Sequence, residues 1–398
     1  MSIRIIEHCE LPRDARFLAE WDRLQTDVED STLFTSAAWV GAWFETFGAG
    51  KRLRLLEIRS GANLIGIVAL VHACSKRSPT LAVYHDLQPE DKAFVVRPGK
   101  GWLRVRQVSV PANLESANLR GGWLCRPAHR IAVLKAAFDY LGRISDWDVL
   151  LLPLVKTEEV REVIDCARHA RFVRSRILFE DALFGFAVRD WQQYLAEQSK
   201  VFRKSFRGAI NRFNALDGAL VETVTDPARI LAAIDAIAAL ARTSWKDQGR
   251  SGQAVCLPLT PNTQKFYRLL TERLAPRGQA QLFAISVHGQ LAGCLLAYSA
   301  DRRLYAMQTF YDPAIAHVSP GRMLMRELIQ WASSNGINWV DMNGNSALAT
   351  AYSEYCQHYQ RLMFFRPSLY SNVLYGLSNA ARMAARIRGA IVARGATR

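Results

Sequence analysis

The feature that most constrains the fold is a series of three apolar segments between residues 280 and 311, separated by two tight turns. The segments 280–287, 291–299 and 304–311 are short and mostly apolar, as expected for strands of a sheet. His288-Gly289 and Asp301-Arg302 lie between them and are typical turn residues. This pattern predicts a three-stranded antiparallel meander.

A helix and a short strand follow the meander. Residues 322–333 place apolar side chains on one helical face, and Asn335-Gly336 is a typical helix end. Residues 337–342 are again apolar enough for a buried strand. The first half repeats this order, with strands predicted at 53–59, 64–73 and 102–110, a helix at 127–141 and a strand from residue 149.

The repeated order predicts an α/β (α+β) protein made of two similar units, each a mixed, mostly antiparallel sheet flanked by helices. A length of 398 residues suits two or three domains. We expect an N-terminal unit at 1–185, a C-terminal unit at 186–366 and a basic amphipathic helix at 367–398. In the linking region, residues 191–216 are predicted to form one helix.

Several classes of protein are disfavoured. The longest apolar run, 64–71, is too short to cross a bilayer as a helix. The N-terminus lacks the apolar core of a signal peptide, and the seven cysteines form no Cys-x-x-Cys pair, so we expect a cytoplasmic protein without a metal site. The sequence also lacks P-loop, nucleophile-elbow and dinucleotide-binding motifs.

Positive charge is concentrated in two acid-free stretches of a chain whose net charge is +15. Residues 199–216 hold five basic residues on an amphipathic helix that includes Arg203 and Arg207. This face is either solvated or contacts a phosphate-bearing substrate. No acid follows Glu354, and the basic C-terminal helix is either a frayed tail or a contact with an anionic membrane surface.

The turn at Ser319-Pro320-Gly321 connects the last strand of the meander to its helix. The first N–H groups of a helix have no partner within it and lie at the positive end of the helix dipole. Arg322 adds a positive charge. This turn is either an ordinary strand-to-helix connection or an anion site.

An ordered set of short motifs carries a family resemblance. The set comprises Phe34-Thr35-Ser36 with Trp39 and Trp43, the basic run 202–207, Ser244-Trp245-Lys246, Tyr311-Asp312-Pro313, Ser319-Pro320-Gly321 and Asp341. On these residues the sequence from Leu33 to Phe365 resembles the CelD-type (BcsL-like) acyltransferases of the GNAT superfamily. Their relatives include the FemABX aminoacyl transferases, which are built from two GNAT-like units.

The resemblance implies two GNAT-like units and direct transfer of an acyl group from acetyl-CoA or another acyl-CoA. The cofactor pyrophosphate is then expected at four residues, Ser319, Gly321, Arg322 and Met323. Substrate-binding residues would be Trp245, Lys246, Arg203 and Arg207. No metal is implied.

Asp341 and Tyr311 are the catalytic candidates. Asp341 ends a predicted strand, where it would either accept the acceptor's proton or cap the following turn. Tyr311 is an acid candidate by its position, although it also begins a turn. Relatives often have Gly-Asp and a Tyr-Lys pair after this strand, whereas this sequence has Gly344-Asn345 and no such pair.

Three functions remain open on the sequence. The leading one is an acyl-CoA-dependent N- or O-acyltransferase, with a small molecule or a glycan of envelope or exopolysaccharide synthesis as acceptor. The second is a FemABX-like transferase that uses aminoacyl-tRNA. The third is a catalytically silent partner of a polysaccharide synthesis complex at the inner face of the membrane.

Overall fold

A computed structural model describes residues 3–29, 31–77, 102–113, 115–244, 260–344 and 346–395. The strands are β1 Ile3–His8, β2 Arg52–Ser60, β3 Asn63–Arg77, β4 Leu103–Ser109, β5 Trp123–Cys125, β6 Val149–Lys156, β7 Val173–Ala187, β8 Ala219–Val224, β9 Ala280–Val287, β10 Gln290–Ala300, β11 Arg303–Tyr311, β12 Trp339–Asp341 and β13 Tyr355–Phe365. The α-helices are α1 Ala15–Asp27, α2 Ala37–Phe47, α3 Arg130–Arg143, α4 Val160–His169, α5 Trp191–Glu197, α6 Lys200–Asn214, α7 Pro227–Thr243, α8 Pro261–Leu274, α9 Pro320–Ser334, α10 Ala347–Tyr352 and α11 Leu369–Gly395.

The strands form one mixed sheet in which the two halves of the chain are arranged alike. Its order is β1-β2-β3-β4-β6-β13-β7-β12-β11-β10-β9-β8, and β5 pairs with β3. Read inward from either edge, each half has four antiparallel strands followed by one parallel strand, since β4 pairs with β6 and β11 with β12 in parallel. The predicted fold class of two similar α/β units is confirmed.

The centre of the sheet is made by an exchange of strands between the halves. β13, the last strand of the chain, pairs with β6 of the first half and with β7. β7 in turn pairs with β12 of the second half. The predicted boundary between residues 185 and 186 falls near the end of β7 and stays a prediction.

Helices cover both faces of the sheet, because strand side chains alternate between the faces. On the first face, α1, α2, α7 and α8 share one apolar core, and α11 packs over the strands of the first half. On the second face, α3 and α4 cover the first half, and α5, α6 and α9 cover the second. The first face carries Tyr305, while α9 lies on the second.

The prediction of a single helix over residues 191–216 is wrong. The helix stops at Glu197, Gln198 is extended, and α6 begins at Lys200. The hydroxyl of Ser199 accepts a hydrogen bond from the N–H of Phe202, which caps a new helix. The amphipathic character of α6 is confirmed, since Phe206 and Phe213 are buried.

Two features of other kinds of protein are absent from the described ranges. No helix in them is long and apolar enough to span a membrane. The same residues contain no group of three or more His, Cys, Asp or Glu side chains that could hold a metal ion.

Candidate active site

Two neighbouring strands of the second half separate at one end. β11 and β12 pair over three residues each, and the last pair is Tyr305 with Asp341. β12 ends there, whereas β11 continues to Tyr311. In the part of the chain that the structure describes, no strand pairs with residues 306–311 on the β12 side. The backbone groups of residues 306–309 that point away from β10 are therefore available to an extended ligand.

A β-bulge lies at the beginning of the open edge. Leu296 and Ala297 of β10 face Gln308 and Ala306, so Met307 is the extra residue of β11. A bulge takes the extra residue out of the ladder and bends the strand. The Met307 sulfur also contacts the side-chain nitrogen of Asn343 at 3.5 Å, which connects the bulge to the turn after β12.

The open edge leads to the N-terminus of α9. A 3-10 turn at Pro313–Val318 follows β11, and Ser319 then adopts a left-handed conformation with φ of 60°. Pro320 is the first helical residue and has no N–H to leave unpaired. Among the described residues, a Cβ atom added at Gly321 would meet one neighbour within 4 Å, the Leu348 methyl at 3.6 Å, so the backbone here can be approached closely.

Two arginines flank the first turn of α9. The Arg322 guanidinium donates to the Ser205 hydroxyl of α6 at 2.7 Å. Arg212, also from α6, donates to the carbonyl of His317 at 2.9 Å and lies 3.4 Å from the Ser319 hydroxyl. The basic helix α6 is therefore packed beside the helix start that the sequence predicts as an anion site.

The predicted cofactor and substrate residues have different surroundings. Met323 has its side chain in the core, so its contribution to an anion site would be its backbone N–H. The Arg203 guanidinium donates hydrogen bonds to the carbonyls of Ala196 and Gln198 and thereby caps the C-terminal end of α5. Arg207 is exposed. Trp245 and Lys246 lie outside the described residues.

Asp341 forms a buried ion pair with an arginine of the first half. Its Oδ2 accepts a hydrogen bond from Arg120 at 2.5 Å, and its Oδ1 accepts one from the N–H of Asn343 at 2.8 Å. Arg120 also donates to the Asn343 side-chain oxygen and lies 4.2 Å from the Phe34 ring centroid. Both members of the pair are buried, and the nearby carboxylate keeps the pKa of Arg120 high despite burial.

The segment 115–122 carries Arg120 across to the second half. The Asn118 side chain bonds to both backbone groups of Arg120, at 2.9 and 2.6 Å, which fixes the turn locally. The carbonyl of Ala117 accepts from the Asn343 side chain at 2.7 Å, and Glu115 accepts from the Thr260 hydroxyl at 3.1 Å. The first half thus supplies one wall of the region around Asp341.

Asp341 and Tyr311 lie far apart. Tyr305 pairs with Asp341, and Tyr311 lies six positions after Tyr305 along β11. At about 3.3 Å per residue, the distance along the strand is about 20 Å. The two predicted catalytic residues therefore lie at different ends of the open edge, and Tyr311 is at the end that is nearer to α9.

Two other tyrosines lie beside the start of α9. Tyr194 of α5 and Tyr352 of α10 have stacked rings 6.2 Å apart, and both are buried. Their hydroxyls have no hydrogen-bond partner among the described residues. Burial raises the pKa of both phenols, so both stay protonated over the physiological range.

The corresponding helix start in the first half has a different charge balance. Arg130 begins α3, as Arg322 lies in the first turn of α9. Arg130 is paired with Glu159 at 3.2 Å and Glu162 at 2.8 Å. These carboxylates neutralise the arginine and would repel an anion, so the second half has the better anion site.

The comparisons with known proteins give a family match in the second half. Residues 200–361 match the family described as an acetyltransferase (GNAT) domain. The second half is therefore similar to a GNAT acetyltransferase domain. This match includes β11, α9 and Asp341, but not the segment with Arg120.

Solved structures with low sequence identity have a similar fold. The structure of FemX is 12% identical, covers 95% of this chain and 99% of its own, and has a TM-score of 0.62. A conserved protein of unknown function from Bacteroides thetaiotaomicron is also 12% identical, with coverage of 91% and 100% and a TM-score of 0.51. No curated protein matches this chain. These similarities establish the fold of the whole chain.

Proposed function

We propose that this protein is an acyl-CoA-dependent acyltransferase whose acceptor is an amine or a hydroxyl. The observation that carries the proposal is the open edge of β11 at residues 306–309, which has no strand partner among the described residues. This edge leads toward the N-terminus of α9 within the residues that match the GNAT domain. An extended ligand with amide groups can pair with such an edge, and an anionic end can bind at the helix start.

The residues present fit a CoA thioester at this edge. The N–H groups of Gly321 and Met323 would bind the pyrophosphate, whereas the N–H of Arg322 already donates to the carbonyl of Ser319 at 2.9 Å. Arg212 and the Arg322 guanidinium would supply the positive charge. The open edge would hold the pantetheine chain. Near the bulge at Met307, an N–H group outside the ladder would stabilise negative charge on the thioester oxygen during attack.

The transfer also needs a proton acceptor and a proton donor. We assign the donor role toward the leaving thiolate to Tyr352, because it is a buried, protonated phenol without a hydrogen-bond partner in the described residues. Asp341 is the candidate for accepting the acceptor's proton or orienting its hydroxyl. A carboxylate has about four lone-pair sites, and Arg120 and the Asn343 N–H donate to two of them.

A sugar or glycan of the envelope or of an exopolysaccharide is the acceptor that we favour. The support is the CelD-type resemblance of the sequence, together with the wall that segment 115–122 builds beside Asp341. Both halves would then shape the acceptor site, while the second half would bind the acyl donor.

The alternative is a FemABX-like transfer from aminoacyl-tRNA. The net charge of +15 and the exposed basic face of α6 favour a nucleic-acid partner. The two proposals differ in their donor, and a direct binding experiment separates them.

The test is calorimetric titration of the full chain with acetyl-CoA, longer acyl-CoA thioesters and aminoacyl-tRNA. We expect binding of at least one acyl-CoA in the wild type and in Gly321→Ala, which has room for a methyl group, and no binding in Gly321→Glu. Binding of the tRNA alone would favour the FemABX-like alternative. Binding of neither donor would contradict both enzymatic proposals and favour a catalytically silent role.

A further inference from the structure

The C-terminal helix α11 is fixed to the sheet by its first turns. Ser371, Leu374 and Ser378 are buried, and Tyr375 packs edge-on against Phe365 of β13 at 5.2 Å. The Tyr370 hydroxyl donates to the carbonyl of Arg104 at 2.6 Å. These contacts determine which side of the helix faces outward.

The outward side carries an apolar stripe. At 3.6 residues per turn, an arc of about 80° contains the residues that we call the outer stripe: Leu369, Val373, Gly376, Ala380, Met383 and Ile387. Its four large members are 88%, 55%, 68% and 52% exposed, in chain order. The buried residues of α11 lie on the opposite side, so within the described part of the chain the stripe is an unpartnered face and not part of the core.

The charge around the outer stripe has one sign. No acidic residue follows Glu354, and α11 has four arginines: Arg382, Arg386, Arg388 and Arg394. By the helical repeat, positions 386 and 388 lie about 100° to either side of the centre of the stripe, position 382 lies toward the opposite side, and position 394 falls on the continuation of the stripe. An apolar face bordered by cations is typical of helices that lie in a membrane interface.

We propose that the outer stripe of α11 lies on an anionic lipid surface. The stripe runs from residue 369 to residue 387, which is about 27 Å at 1.5 Å per residue, so several turns can insert side chains at once. Charge complementarity selects an anionic over a neutral surface, since each arginine near such a surface contributes about 1 kcal/mol. This inference does not depend on the acyltransferase proposal.

The stripe favours lipid over a protein partner. It contains small and aliphatic residues and no aromatic anchor, whereas stable protein interfaces are enriched in Trp, Tyr and Arg at their centres. A second copy of the chain would also bring two sets of arginines together. Lipid headgroups with negative charge would neutralise them.

The test is sedimentation of the full chain with vesicles of phosphatidylcholine alone or mixed with phosphatidylglycerol. We expect the wild type to sediment with the anionic vesicles and to be released as the salt concentration rises from about 0.1 M to about 1 M, because the Debye length then falls from about 10 Å to about 3 Å. Met383→Glu/Ile387→Glu should weaken the partition by about tenfold or more, because it removes two inserting side chains and adds two negative charges.

Two further variants keep the test independent of folding defects. Leu220→Glu changes an equally exposed residue on β8 and should sediment like the wild type. Arg382→Gln/Arg386→Gln leaves the stripe intact and should lower binding to anionic vesicles. Failure of the wild type to sediment, or equal sedimentation of the Met383/Ile387 variant, would overturn the proposal. Self-association of the wild type that this variant abolishes would also overturn it, in favour of a second copy.

Discussion

The buried pair of Arg120 and Asp341 gives the sharpest test of how the two halves are held together. Asp341→Asn keeps the size of the side chain but removes its charge, which leaves the Arg120 cation buried without its carboxylate. Removing one partner of a buried ion pair costs about 3–5 kcal/mol. We expect the lower end of that range, because Arg120 keeps its contacts with Asn343 and with the Phe34 ring at 4.2 Å.

The assay is urea unfolding of the wild type, Asp341→Asn, Arg120→Met and the double variant. The double variant contains no unpaired charge, so its loss of unfolding free energy should be smaller than the sum of the two single losses. Asp165→Asn is the control, because Asp165 pairs with Arg168 at 3.1 Å on the surface and should cost less than about 1 kcal/mol. A loss in Asp341→Asn as small as in this control, or additive single losses, would refute the reasoning.

Three further predictions concern ligand binding, catalysis and pH. Gly321→Glu should abolish acyl-CoA binding by repelling the phosphates, while calorimetry with Gly321→Ala should show wild-type affinity. Tyr352→Phe should lower kcat by about 100-fold or more with little change in KM, whereas Tyr194→Phe, its buried neighbour, should keep most of the activity in a thiol-release assay. Burial lowers the pKa of His72 below its usual value of 6.5 in the folded protein. As the pH falls, the unfolded state therefore binds the extra proton before the folded state does. The free energy of unfolding should consequently decrease as the pH drops below about 6.5. Urea titrations of His72→Gln should lack this part of the decrease; an unchanged pH dependence would contradict the assignment.

The elements that sequence alone predicted well are those with local signals. The meander β9–β11 consists of short apolar strands joined by tight turns, and α9 has one apolar face and begins at a proline. β7 was not predicted, because Arg174, Arg176, Glu180 and Asp181 interrupt its apolar pattern. Its partners in the sheet, β12 and β13, lie more than 150 residues later in the chain, so no short turn in the sequence indicates that β7 pairs with them.

In the candidate site, too, the sequence predicts features that depend on neighbouring residues but not contacts between distant parts of the chain. The anion site at α9 follows from a short motif, and the structure adds the two arginines that flank it. Arg120 could not be predicted, since arginine is rarely buried and its partner Asp341 is 221 residues away. Tyr352 was visible only as a tyrosine without a following lysine, because its burial depends on packing against α5.

The position of β13 between β6 and β7 has a consequence for synthesis on the ribosome. The edge of β6 presents a run of apolar residues that pairs with β13, which emerges about 200 residues later; at about 5–20 residues per second, this takes roughly 10–40 s. Throughout that time the nascent first half exposes an unpaired, apolar strand edge, a known template for aggregation. We therefore expect chains that stop before Tyr355 to aggregate or to be held by chaperones, even though they contain every other strand.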